Sequence, residues 1–384
     1  MYHFLKLTYP LIFIVLIACQ NKETEQNTQT LNLQSKEISL SYAQNFKIEQ
    51  FEDFKVLTLT KPFTDSPDSL QYVLYKRGEE KPEGFKEAIF IEIPIQRVVV
   101  LSHSHIAFLQ KMGLENNIVG INEGNYLPEI PFKQKLKKGE VKDVSNAQGV
   151  LNLEEILSLE PDLVMFSSGA KEGFLKNKVL TEAGIPMVFN GEWLETDPLG
   201  RAEWIKMMSL FFDKEEQANQ IFEEITQAYQ SVTQKTDSIK TKPTVLWEVP
   251  YKDTWYVPGG NSYIAKLLKD AGGNYLWQDD EQVASLALDF ETVYAKAQQA
   301  DYWISLSVIQ KKSELQAQDA RFTDLKAFKE GNLYNHNRQK SAIGGSLYLM
   351  EGVVNPHWVL SDLVKILHPN LLSAHEFKYY QKIE

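Results

Sequence analysis

Between residues 97 and 189 the chain alternates short apolar blocks with stretches of helical periodicity, and this alternation limits the fold more than any other feature. The blocks are Arg97-Val98-Val99-Val100-Leu101, Ile118-Val119-Gly120-Ile121, Leu163-Val164-Met165-Phe166 and Ile185-Pro186-Met187-Val188-Phe189. Continuous apolar runs of this length read as strands covered on both faces. Between them lie a helix-like segment from Ile106 to Met112, stopped by Gly113, and one opening at Asn152-Leu153-Glu154-Glu155-Ile156-Leu157, stopped before Pro161. Strands separated by helices require right-handed crossovers and a mainly parallel sheet.

The middle of the chain is helical. Asp197-Pro198 pairs an N-cap residue with proline at the first helical position. Trp204, Met207, Met208 and Phe211 follow on one face, and Asp213 with Glu216 has capping-box spacing. Ala218, Ile221, Phe222, Ile225, Ala228, Tyr229 and Val232 then keep a helical spacing to about Lys235. Beyond Thr241-Lys242-Pro243 a new strand, Thr244-Val245-Leu246-Trp247, begins the second half. That half repeats the earlier grammar. Asp289-Phe290-Glu291 opens a helix leading through Ala300-Asp301 into Tyr302-Trp303-Ile304-Ser305, as Asn152-Leu153-Glu154 leads through Pro161-Asp162 into Leu163 to Phe166. The expected fold is α/β: two lobes with mainly parallel sheets joined by one long helix. Residues 38–200 form the first lobe, 201–240 the bridging helices and 241–384 the second lobe.

A β-rich extension precedes this pattern over residues 51–95, with Val56 to Thr60 and Tyr72 to Tyr75 as strands around a loop from Pro62 to Ser69. At the extreme N-terminus, Lys6, the apolar run Leu11 to Leu16, Ile17-Ala18 and the sole cysteine, Cys19, form a lipoprotein leader. The run is shorter than the roughly 20 residues that span a bilayer. Residues 1–18 are therefore expected to be a signal peptide and Cys19 the lipid-bearing first residue of an envelope protein. Residues 19–37 are expected to be a flexible tether, because Gln20 to Lys36 is polar and cannot bury enough surface to offset chain entropy. With one cysteine, which carries the lipid, no disulfide is available. The net charge of −11 excludes a nucleic-acid binder, which needs a positive surface. Neither a phosphate-cradling glycine loop nor a Gly-x-Ser-x-Gly elbow occurs, so the chain carries no ATPase or serine-hydrolase motif.

In this order the blocks resemble the binding proteins that feed cobalamin and iron-complex ABC importers. Arg97 to Ser102, Asn152 to Ile156, Glu160-Pro161-Asp162-Leu163-Val164 and Gly184-Ile185-Pro186 carry the resemblance in the first half. Asp270-Ala271-Gly272-Gly273-Asn274, Phe290-Glu291 and Ala300-Asp301 carry it in the second. It covers about residues 94–370 and leaves the β-rich extension unexplained. It implies a monomeric, non-enzymatic protein without a cofactor of its own, which holds an iron complex (siderophore or haem) or cobalamin between its lobes. Glu154 and Glu291 match the surface glutamate that the family places on each lobe to meet arginines of the importer's membrane subunits. Two such carboxylates fix register and orientation; each would equally complement the dipole at the start of its helix.

Ligands of α/β sheets bind at the C-terminal ends of the strands. That rule points to Ser104, His105, Tyr126, Lys171 and Trp193 on the first lobe. On the second it points to Trp255, Tyr256, Asn261, Ser307, Arg338 and Tyr348. Aromatics supply flat walls for a chelate or macrocycle, and the charged and amide groups grip its periphery. The rival from another class is an exported metal-dependent hydrolase: His103 and His105, two apart at a strand end, would point the same way and ligate a metal.

Overall fold

Period-two burial in the N-terminal extension makes a sheet with two covered faces. β1 (Lys36–Ile38), β2 (Phe46–Gln50), β3 (Phe54–Leu59) and β4 (Leu70–Lys76) form an antiparallel meander, and β5 (Ile89–Ile93) joins β4 in parallel. Phe46, Ile48, Leu57, Leu59, Tyr72 and Leu74 face the main core, while Phe54, Val56, Val73 and Tyr75 form a smaller cluster with Phe51, Phe85 and Phe90 on the other side. This computed structural model describes residues 34–63, 67–146, 148–167, 171–306 and 309–384. Cys19, the leader and most of the expected tether lie outside the described residues, and so does Ser307. β1 begins at Lys36, inside the stretch expected as tether, because it finds a partner in β2.

The apolar blocks form the first lobe's sheet. β6 (Val98–Val100), β7 (Ile118–Ile121), β8 (Lys142–Asp143), β9 (Leu163–Phe166) and β10 (Met187–Phe189) lie in the order β10-β9-β6-β7-β8, all parallel. In the second lobe, β11 (Thr244–Trp247), β13 (Asn274–Tyr275), β15 (Tyr302–Ile304) and β16 (Leu333–Asn335) are parallel in the order β13-β11-β15-β16, with β17 (Gln381–Lys382) antiparallel at the edge. A separate antiparallel pair, β12 (Thr254–Val257) and β14 (Leu286–Asp289), flanks it.

The two lobes repeat one another. β7-β6-β9-β10 and β13-β11-β15-β16 share one order, with the first strand of each set inside. The Asx caps are equivalent: Asn152 accepts from Glu155 N and Asp289 from Thr292 N. The aspartates before β9 and β15 are equivalent too. Asp162 accepts from the Gln96 and Arg97 amides that lead into β6, and Asp301 from the Thr244 amide and hydroxyl that open β11.

Helix Pro198–Ser209 begins where expected, its Asp197 cap accepting from Leu199 and Gly200 N. The second bridging helix, Glu215–Thr236, has 22 residues and is about 33 Å long at 1.5 Å per residue. Its expected capping box does not form. Asp213 takes a left-handed backbone (φ 52°) that closes the turn Leu210–Phe212, and its carboxylate turns to Lys55. The extension is pinned to the bridge by two buried acids. Glu203 accepts from the amides of Ser41, Tyr42 and Ala43, and Glu195 from those of Gln44 and Asn45 and from Trp204 Nε1.

Candidate ligand cleft

The strand ends of both lobes open on one cavity of about 760 Å³. Trp193, Leu194 and Glu195, just beyond β10, bound it on the first lobe, and Arg201 comes from the bridging helix. Trp247, Glu248, Tyr256, Ser305, His336 and Tyr348 bound it on the second. A smaller hollow of about 350 Å³, lined by Ser102, His103, Ser104, Asn122, Glu123, Ser167 and Glu192, shares Trp193 and Leu349 with it. Apolar side chains that remain open to solvent gather here: Tyr256 is 49% exposed, Val283 48% and Leu349 62%. Such surface in a concave, aromatic-walled site is the mark of a ligand pocket.

Close backbone approach shapes the walls. A Cβ on Gly345 would lie 1.7 Å from the Tyr126 carbonyl, so only glycine lets the loop before helix Leu347–Glu351 cross to the first lobe. That helix packs on helix His103–Lys111 of the first lobe and presents Tyr348 and Leu349 to the cavity. Gly259 and Gly260 similarly admit the backbone of residues 277–284, which brings Val283 to Ser285 into the wall.

Glu248 is held in an unusual way. It takes φ 69° immediately after β11, and its carbonyl accepts from two indoles, Trp303 Nε1 at 2.6 Å and Trp255 Nε1 at 3.2 Å. Ser305, at the matching end of β15, is also left-handed (φ 66°), and its hydroxyl donates to Glu248 Oε2 at 3.1 Å. Non-glycine residues held in this region are costly and concentrate at functional sites.

Arg201 is engaged rather than available. Its Nε and Nη2 both donate to Glu192 Oε2, at 2.9 and 2.7 Å, and its guanidinium lies 4.1 Å from the Tyr263 ring centroid. Burial works against this charge, and the Glu192 carboxylate more than offsets it, so Arg201 stays protonated. Burial raises the Glu195 carboxyl above its usual range despite its donors. His336 stacks on Tyr348 with centroids 4.7 Å apart, and burial pushes its pKa down to about 4, leaving the imidazole neutral.

Of the side chains expected at the ligand, Ser104, Trp193, Tyr256 and Tyr348 line the cleft. Others sit elsewhere. Trp255 is wholly buried against Phe290, Trp303 and Phe322, because neighbours on a strand face opposite sides and Tyr256 takes the open one. His105 is wholly buried inside its helix. Lys171 pairs with Asp68 of the extension. Asn261 Nδ2 donates to the Glu281 carbonyl and lines a separate hollow beside helix Tyr263–Asp270. Arg338 and Tyr126 are exposed outside the cavity lining, with Tyr126 bearing the Gly345 contact. The expectations missed Arg201, Glu248 and Tyr263.

The histidine pair is corrected as well. His103 and His105 lie in the first turn of a helix, not on a strand, so they diverge by about 200° around its axis. His103 Nε2 meets the Asn122 carbonyl at 3.2 Å, on the other side of the helix from His105. Glu154 and Glu291 occupy the same position, second after an Asx cap, and both are exposed. Arg321 Nη1 lies 3.3 Å from Glu291 but is held more closely by Asp319, at 2.7 Å.

A sequence profile of the periplasmic binding proteins matches residues 98–339. An uncharacterised lipoprotein of Methanocaldococcus jannaschii is 27% identical over 84% of this chain and 78% of its own length. The vitamin B12-binding protein of Vibrio campbellii is 25% identical over 51% of this chain and 66% of its own. The crystal structure of a possible iron-binding periplasmic solute-binding protein from Staphylococcus epidermidis superposes with a TM-score of 0.56 at 20% identity, covering 72% of this chain and 99% of that one. With the profile spanning well over half of the chain and two repeated lobes enclosing one cleft, the chain belongs to the periplasmic binding protein family and is a solute-binding protein, not an enzyme.

Proposed function

We propose that this protein is tethered to a membrane of the cell envelope through acylated Cys19, captures a metal complex, and delivers it as a monomer to an ABC importer. The complex is an iron chelate, haem or cobalamin. One observation carries the ligand reading: a cavity of about 760 Å³, walled by Trp193, Trp247, Tyr256 and Tyr348 and closed from both lobes, has the size and flat apolar faces that suit a chelate or macrocycle. The Vibrio relative, a vitamin B12-binding protein, and the Staphylococcus structure, a possible iron-binding protein, support the same class. Glu154 and Glu291, exposed at equivalent positions of the two lobes, provide the two-point dock on the importer. The test is retention. The full chain in detergent is mixed with cobalamin, a ferric trihydroxamate or haemin, and free ligand is removed by gel filtration. One bound complex per chain, read by visible absorbance, is the expected result; no retention of any metal complex would refute the proposal.

A further inference from the structure

The cleft has two compartments of different chemistry, and which metal complexes they admit together is a question that rests on the proposed function. The cavity of about 760 Å³ is walled by aromatic rings. The adjoining hollow of about 350 Å³ lies at the ends of three neighbouring strands of the first lobe: Ser167 follows β9, Ser102 follows β6 and Asn122 follows β7. With the first turn of helix His103–Lys111, these residues line it with hydroxyl, amide and imidazole groups. Ser104 is only 6% exposed, and its hydroxyl lies 2.9 Å from that of Ser102. Burial keeps the His103 ring neutral. Its Nε2 meets the Asn122 carbonyl, which can only accept, so Nε2 carries the proton and Nδ1 is an acceptor. Neither Lys nor Arg occurs among the described residues that line the hollow, and its Glu192 is bonded to Arg201. Trp193 and Leu349 line both compartments and mark their junction.

We infer that the hollow is a second subsite, which takes an amide- or hydroxyl-bearing arm of the complex while the aromatic cavity holds its metal-bearing body. Serine hydroxyls and the Asn122 amide both donate and accept, so this lining pairs with either end of an amide or hydroxyl on the arm. A complex without an arm leaves the hollow to water and gains none of these bonds. An alkyl arm strips the water and replaces nothing, which costs more. Sites built from such groups discriminate strongly against analogues that lack the matching polar atoms. Haem, whose peripheral polar groups are carboxylates, does not match this lining.

The test compares neutral complexes that share a metal-bearing body and differ in the arm. In one series the ferric trihydroxamate is linear with an N-acetylated amine arm, linear with an alkyl arm of the same length, or cyclic with no arm. In the other, cyanocobalamin is set against dicyanocobinamide, which lacks the nucleotide arm. Dissociation constants for the full chain in detergent are read from tryptophan quenching. In each series that binds, the complex with the amide or nucleotide arm is expected to bind about tenfold more tightly than those without it, the worth of a net hydrogen bond or two. Ser102→Ala with Ser167→Ala should narrow that gap several-fold, and Ser167→Leu, which fills the hollow, should close it. Equal binding with and without the polar arm, or a gap that persists in both folded variants, would overturn the inference and leave the metal-complex proposal standing. Retention of haemin alone would do the same. Failure of every complex to bind would instead remove that proposal, and the inference with it.

Discussion

His105 was expected at the ligand and lies instead in the core, a difference with a measurable energetic signature. Its ring is fully buried, neither nitrogen has a partner among the described residues, and burial, with His103 adding to it, pushes its pKa down to about 3. In the unfolded chain the same group titrates near 6.5. Between those values the unfolded chain binds a proton that the folded protein does not, so stability falls as pH drops below 6.5. At pH 5, about 1.5 pH units below that point, the loss is about 2 kcal/mol at roughly 1.4 kcal/mol per unit; at pH 7.5 it is close to zero. His105→Leu removes the titration. Whatever its packing change does at neutral pH, the variant should therefore gain about 2 kcal/mol relative to the parent on going from pH 7.5 to 5. Urea unfolding of both proteins at both pH values, with m-values compared, measures the difference. A variant-minus-parent difference that is the same at pH 5 and 7.5 would refute the reasoning. Loss of ligand binding in the folded variant would refute the placement of His105 away from the cleft.

Other outcomes follow from the same structure. Glu203→Ala leaves the Ser41 to Ala43 amides and Lys206 without their buried carboxylate, and should cost roughly 3 kcal/mol and open residues 41–45 to limited proteolysis. For Asp301, burial is outweighed by the Lys326 ammonium and the Thr244 donors, so its carboxyl is held below the usual range. That contribution is complete above about pH 4 and lost as pH falls through the depressed value, so Asp301→Asn should flatten the acid limb of the stability curve. Glu154→Ala with Glu291→Ala should abolish uptake in cells and leave ligand affinity of the purified protein intact. The Arg321 contact with Glu291 is exposed and screened by solvent, so Arg321→Ala should leave uptake within about twofold of the parent.

Much of the architecture was legible because the central strands announce themselves. Leu163 to Phe166 and Thr244 to Trp247 match β9 and β11, since strands covered on both faces read as near-continuous apolar runs. The internal repeat was legible in its caps, Asn152 and Asp289, and in the aspartates before β9 and β15. Other features depend on contacts distant in sequence. Phe46 to Gln50 became a strand because β3 pairs with it, and Glu195 and Glu203 look like surface acids until the extension folds over them. The cleft was half legible. The strand-end rule located Trp193, Tyr256 and Tyr348. Period two alone separates Tyr256 from Trp255, and a helical start at His103 separates it from His105. Nothing in the sequence marks Glu248 as left-handed, because its backbone is fixed by indoles 7 and 55 residues away.

The position of the bound metal tests the central claim most directly. Crystals of the full chain with its retained complex, measured at the iron or cobalt absorption edge, locate the metal by anomalous scattering without assumptions about the ligand's shape. The predicted peak lies in the cavity bounded by Trp193, Glu248, Tyr256 and Tyr348. A metal peak outside it, such as in the lysine-flanked hollow beside helix Tyr263–Asp270, would contradict the assignment of the cleft.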